Sequence, residues 1–191
     1  MALPAEKERY TFAGVLTWPD DELAEIINGE PVMMAPPPSS EHQEISGGLF
    51  WQLRYYLRGK NCKVYAAPFA VRLFEKSGDA PKDVDTVVEP DISVICDTSK
   101  VDKRGCKGAP DMVVEILSPS TRRHDRLTKF NLYQRAGVRE YWIADPTDKS
   151  VQVFALEDGH YIAKDFGAVG DRLKVNVLED CVIDLSEVFP A

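Results

Sequence analysis

Secretion and membrane insertion both ask for features that this sequence lacks. Met1 to Tyr10 is polar and charged, without the apolar stretch of a secretory leader. No apolar run approaches the roughly 18–20 residues that would span a bilayer. The expected location is therefore the cytoplasm. Cysteine is scarce, with only Cys62, Cys96, Cys106 and Cys181, and no two of them form a CxxC pair. In a reducing compartment all four are expected to be free structural thiols, and the Cys96–Cys106 spacing matches no common zinc pattern. Basic charge is also short: 23 Lys and Arg against 31 Asp and Glu leave a net charge of −8. That argues against a protein that coats nucleic acid through a broad basic face. An enzyme whose bound cations supply positive charge locally remains compatible with it. Repeats are absent, and the one low-complexity tract, Pro36-Pro37-Pro38, is a stiff break between elements.

What is present suffices for one ordinary domain over residues 1–191, since 44% hydrophobic and 28% charged residues make a globular profile. A short helix is expected from Asp20 to Ile27, ended by Asn28-Gly29, then a strand from Pro31 to Ala35. Ser39 or Ser40 can cap a longer helix that runs to about Arg58 and stops at Gly59. Its apolar residues Ile45, Leu49, Leu53 and Tyr56 (or Leu57) recur at helical spacing. Lys63 to Phe74 reads as a strand with a break available at Pro68, and Ser77 to Asp85 as a polar loop. Val87–Cys96 and Asp111–Leu117 read as central strands around a charged loop, Asp97–Pro110. A helix capped by Ser120 or Thr121 and closed by Gly137 follows. Glu140–Ala144, Val151–Leu156 and Tyr161–Lys164 read as strands, with turns at Asp145-Pro146 and Asp158-Gly159. A short strand pair and a turn end the chain. The fold class is α/β (mixed α+β): a central mixed β-sheet flanked by helices and extended by C-terminal β-hairpins. Trp18, Trp51 and Trp142 read as core residues.

Two carboxylates inside apolar sequence carry the chemistry. Asp91 stands before Ile92-Ser93-Val94-Ile95, and Glu115 stands between Val113-Val114 and Ile116-Leu117. A buried ionised carboxylate is costly unless paired or bound to a cation, and two neighbours repel unless something positive lies between them. A hard divalent cation with oxygen ligands answers both needs, and Mg²⁺ usually takes one or two protein carboxylates plus water and phosphate. The plain alternative is that both acids pair with Arg or Lys at strand ends. Lys129, spaced by four residues from both Asp125 and Tyr133, shares a helical stripe with them. Its ammonium is either half of a surface pair with Asp125 or a group that reaches back to the two carboxylates. Arg122, Arg123 and Arg126, with Lys103, Arg104 and Lys107, are either a basic rim for a phosphate backbone or a solvated helix start. Glu25 and the pair His42-Gln43 are accessory candidates, whereas His124 and His160 read as ordinary surface residues.

Pro90-Asp91 followed by Glu115 on the next strand resembles the PD-(D/E)XK phosphodiesterase superfamily, which includes restriction endonucleases and DNA-repair nucleases. A wider set resembles a bacterial restriction-endonuclease family within it. That set is Glu25-Ile26-Ile27-Asn28-Gly29-Glu30, His42-Gln43, Glu89-Pro90-Asp91, Val114-Glu115-Ile116-Leu117-Ser118-Pro119-Ser120-Thr121, Asp125…Lys129…Tyr133 and Gly137-Val138-Arg139-Glu140-Tyr141-Trp142. The resemblance runs from about Asp21 to Pro146 and implies a restriction-endonuclease-like core. It further implies that Asp91 and Glu115 ligate Mg²⁺ or Mn²⁺, with the backbone carbonyl of Ile116 as third ligand and Glu25 as an extra acidic residue near the ion. The superfamily's usual E-x-K would place a lysine at position 117, where this chain has Leu117. The family moves that lysine to the following helix, which singles out Lys129. The implied activity is metal-dependent hydrolysis of phosphodiester bonds in nucleic acid, with DNA as the expected polymer and a homodimer as the expected assembly. Two rivals stand beside it: a nuclease-like fold that binds without cutting, and a metal-dependent phosphoesterase for a small substrate.

Overall fold

The computed structural model describes residues 9–18, 24–33 and 37–189. In chain order they form a short helix α1 (Phe12–Val15), strands β1 (Ala24–Ile27) and β2 (Glu30–Met33), and helix α2 (Ser40–Tyr56). Strands β3 (Lys63–Ala66), β4 (Val71–Arg72), β5 (Ile92–Ile95), β6 (Val101–Asp102), β7 (Gly105–Lys107) and β8 (Met112–Ile116) come next. A π-helical turn (His124–Lys129) runs into α3 (Phe130–Ala136). Strands β9 (Glu140–Asp145), β10 (Ser150–Glu157), β11 (His160–Ala168), β12 (Arg172–Lys174) and β13 (Val182–Asp184) complete the chain.

The main sheet has the order β11-β10-β9-β8-β5-β3. Only β8 and β9 run parallel, joined by the crossover through the π turn and α3; the other neighbours are antiparallel. Strand alternation splits the core into two layers. Ile92, Val94, Met112, Val114, Ile116, Trp142 and Ala144 pack with Ile45, Leu49 and Leu53 of α2 and with the C-terminal segment. Val113, Leu117, Tyr141 and Ile143 pack on the opposite face with Leu132 and Tyr133 of α3. Glu115 lies in the period of Val113 and Leu117, so it points into the α3 layer. The long helix forms where its sequence promised: the Ser39 side chain caps it by accepting from the His42 amide at 3.2 Å.

Several expectations are corrected. The residues read as the end of a helix, Ala24–Ile27, are a strand; residues 20–23 of that reading lie outside the described residues. Asn28 and Gly29 both have positive φ, 52° and 79°, and make the tight turn of the β1–β2 hairpin rather than a helix stop. Residues 34–35, read as the end of β2, also lie outside the described residues. The segment from Lys63 to Phe74 divides between two sheets, because β3 joins the main sheet while β4 pairs with β7. Val87 and Val88 make only isolated bridges, to Ile26 and Val71, so Asp91 precedes β5 rather than lying inside a strand. The charged loop 97–110 contains the β6–β7 pair. Cys62 and Cys96 are not free thiols but form a disulfide. The reason is register: Lys63 pairs with Ile95, so the flanking cysteines face each other across β3 and β5. This removes Cys96 from any zinc site with Cys106, which is buried and free like Cys181. Trp142 is core, but Trp51 is 60% exposed.

Candidate active site

Glu115 projects from the C-terminal end of β8, one residue before its last, and is buried. One of its oxygens, Oε1, accepts from Lys129 Nζ at 2.9 Å and from the Tyr133 hydroxyl at 2.5 Å. Both donors come from the crossover helix, Lys129 from the last residue of the π turn and Tyr133 from α3. An extra residue per turn of this kind is a frequent feature of functional sites. Gly137, at φ 84°, ends α3 and turns the chain into β9.

Asp91 reaches the same strand from the side. Its Oδ2 accepts from the backbone amide of Ile116 at 2.7 Å, so its carboxylate lies against the residue that follows Glu115. The Asp91 side chain keeps 19% of its surface exposed and lies 3.3 Å from His42 Nε2, at the first turn of α2. Glu25, on β1, completes the group: its Oε1 is 2.9 Å from Lys129 Nζ and accepts from the Glu89 amide at 2.9 Å. Asp125 lies one turn before Lys129, with its Oδ1 at 3.9 Å from the ammonium.

One ammonium therefore faces Glu25, Glu115 and Asp125, while Asp91 lies against the Ile116 amide and His42. Burial pushes the Glu115 carboxyl well above the ordinary range, against the pull of Lys129, and Asp125, Asp91 and Glu25 push the same way. Burial raises Asp125 and Glu89 as well. Burial works against the charge on Lys129, but Glu115, Glu25 and Asp125 outweigh it and hold the ammonium protonated. Burial also pushes the Tyr133 phenol up, reinforced by the Glu115 charge, so it stays a donor. Burial lowers His42, yet its contact with Asp91 leaves it raised overall.

Among the sequence candidates, the structure brings together Glu25, His42, Asp91, Glu115, Lys129 and Tyr133, with the backbone of Ile116. Gln43 is exposed on the outer side of the α2 start. Arg122 and Arg126 are committed elsewhere: Arg122 makes two 2.9 Å bonds to Asp145, and Arg126 reaches Asp145 at 3.1 Å and Gln152 at 2.9 Å. Lys107 lies 3.5 Å from Asp102 rather than in a shared rim with them. Two neighbours carried no assigned role in the sequence. Glu89 has a buried oxygen, Oε2, without a hydrogen-bond partner, and His124 Nε2 lies 3.9 Å from Glu25 Oε2. Glu89 was signalled only by its place before Pro90-Asp91; His124 gave no signal beyond adjacency to Asp125.

No three His, Cys, Asp or Glu side chains among the described residues converge into a ready metal cage. The arrangement instead suits a hard ion that takes few protein oxygens. Asp91 and Glu115 bracket Ile116, whose backbone also meets His42, and the local acids outnumber the single ammonium.

The family model described as "Uma2: Putative restriction endonuclease" matches residues 12–186. An uncharacterised protein of Synechocystis sp. is 27% identical over 139 residues, which cover 72% of this chain and 68% of that protein. Among solved structures, a putative nuclease belonging to DUF820 from Anabaena variabilis superimposes with a TM-score of 0.70 at 19% identity. The match covers 94% of this chain and 97% of that one, and it shows a shared restriction-endonuclease-like fold.

Proposed function

Because the chain belongs to the Uma2 family of restriction-endonuclease-like proteins, we propose that it is a divalent-metal-dependent endonuclease that hydrolyses phosphodiester bonds in DNA. One observation carries this reading: Asp91 and Glu115 meet at a single strand end, with the displaced lysine, Lys129, bonded to Glu115 at 2.9 Å.

Asp91, Glu115 and the Ile116 carbonyl would hold Mg²⁺ or Mn²⁺. When bound, the ion supplies Lewis acidity at the scissile phosphate and local positive charge. The chain's own residues do the remaining work. Lys129 keeps its proton among the carboxylates and so offers a fixed ammonium to orient a water and steady charge on phosphorus. Tyr133 fixes one Glu115 oxygen by donation, leaving the other for a ligand. The Ile116 amide and His42 fix Asp91 in the same way, and Glu25 holds Lys129 from the opposite side. Gln43, exposed on the outer side of the α2 start, has no role in this reading. Arg122 and Arg126 act indirectly, by anchoring the start of the crossover helix to Asp145 at the end of β9. One site cuts one strand, so cutting both strands of a duplex calls for two copies, and a homodimer belongs to this reading.

The test is incubation with single- and double-stranded DNA and RNA in Mg²⁺, Mn²⁺ or EDTA. DNA cleavage abolished by EDTA is expected. Cleavage indifferent to EDTA would remove the metal from the account, and cleavage of RNA alone would change the polymer.

A further inference from the structure

On the outer side of α2, opposite the buried Ile45, Leu49 and Leu53, Trp51 and Tyr55 stand 60% and 61% exposed. Their rings stack on each other with centroids 5.6 Å apart. The Arg58 guanidinium lies 5.4 Å over the Tyr55 ring. Val182 of β13, 52% exposed, widens the patch, and a groove runs between Trp51, Gln52, Tyr55, Tyr56, Asp180 and Val182. Two neighbouring large aromatics left in water are unusual for a monomer and typical of interface anchors.

The sequence of this face says what fits it. Its exposed residues Glu44, Gly47, Trp51, Tyr55 and Arg58 follow one another at spacings of three and four, with Arg54 three after Trp51, which keeps them on one side of the helix. Charge is polarised along it, acidic at the Glu44 end and basic at the Arg54–Arg58 end. Gly47 is a notch: a side chain added there would meet nothing within 4 Å. A second α2 laid antiparallel therefore sets each Glu44 end against the partner's arginines, and each notch against the partner's aromatics. A parallel mate would set Glu44 against Glu44. A two-fold axis perpendicular to the helix gives this antiparallel arrangement. Asp180 in the groove and Glu44 on the stripe oppose a phosphate backbone, so a second copy fits better than a nucleic-acid strand.

We propose that the outer face of α2 is the homodimer interface of this protein, formed by antiparallel self-association around Trp51 and Tyr55. The proposal rests on the homodimer of the reading above but not on cleavage.

Sedimentation of the full chain without metal or nucleic acid tests it. The wild type should be a dimer, and Trp51→Ala with Tyr55→Ala should raise its dissociation constant on the order of 30-fold or more. Glu44→Arg should weaken it too, and adding Arg54→Glu and Arg58→Glu should restore it, a rescue that misfolding would not give. A monomeric wild type, a dimer indifferent to these changes, or a monomer whose binding of single-stranded oligonucleotide is lost in Trp51→Ala would each overturn the proposal. Glu115→Gln should remain a dimer, so loss of cleavage and loss of association are read separately.

Discussion

Lys129 is the residue on which the site turns. It is 6% exposed and contacts Glu25 and Glu115 at 2.9 Å each, so without a metal it is the positive charge within reach of both. Lys129→Ala leaves buried carboxylates uncompensated, and a loss of about 3–5 kcal/mol is expected in metal-free denaturant unfolding. Millimolar Mn²⁺ should recover much of that loss in the variant, because a divalent ion can take over the vacated charge. Unchanged stability in EDTA would mean that the acids carry protons instead. At this scale the sequence was informative where chemistry is local: Asp91 and Glu115 stood out as charged groups in or beside apolar runs, and Lys129 by its helical spacing from Asp125 and Tyr133. It could not separate that pattern from a structural one. Glu140 is as buried as Glu115, yet its oxygens accept from Trp142 Nε1, the Asn176 amide and the Val177 amide, which tie the C-terminal segment to the sheet. Residue type and burial are alike in the two; only the partners differ, and those come from distant sequence.

At the scale of elements, the hairpin that delivers Glu25 shows how the sequence misled. Glu25 was read on a helix because Asn28-Gly29 can end one, but the same dipeptide makes a two-residue hairpin turn. The β1–β2 register, with Ile26 bridged to Val87, decided the outcome through contacts about sixty residues away. Gly29 sits at φ 79°, and an added Cβ would come within 2.9 Å of the Arg9 side chain. Gly29→Ala should cost roughly 1–2 kcal/mol in thermal or denaturant unfolding. It should also lower activity at a temperature where the fold is intact, since β1 positions the Glu25 oxygen on Lys129. A variant with wild-type stability and activity would show that the turn does not set the site. The long helix α2 was legible because its periodicity and its Ser39 cap are local, whereas at the start of the crossover helix the side chain that accepts from the Thr121 amide, at 3.2 Å, is Ser118 rather than the expected Ser120 or Thr121. The break at Pro68 was legible from the proline itself, but the break at Pro90 and the division of β3 and β4 between two sheets were not, because which sheet a strand joins depends on its neighbours.

For the molecule as a whole, charge sets how it can meet a polyanion. The net charge is −8, Arg122 and Arg126 are held by Asp145, and Arg139 lies 3.0 Å from Asp111. With that net charge and these arginines held by acids, DNA affinity should fall by about tenfold or less between 50 and 200 mM monovalent salt. Fluorescence anisotropy measures this, and a loss of a thousandfold would reveal a basic surface that this account lacks. The mixed sheet with helices on both sides, the layer that buries Glu115 and the parallel β8–β9 crossover together bring an acid from each of three separate chain segments to one strand end. The direct test of that convergence is nicking of supercoiled plasmid in Mg²⁺ or Mn²⁺ by wild type, Asp91→Ala and Lys129→Ala. The account predicts metal-dependent nicking by wild type and a loss of at least about a hundredfold in both variants. Nicking that survives in Asp91→Ala, or a folded wild type that cuts nothing in either metal, would contradict it.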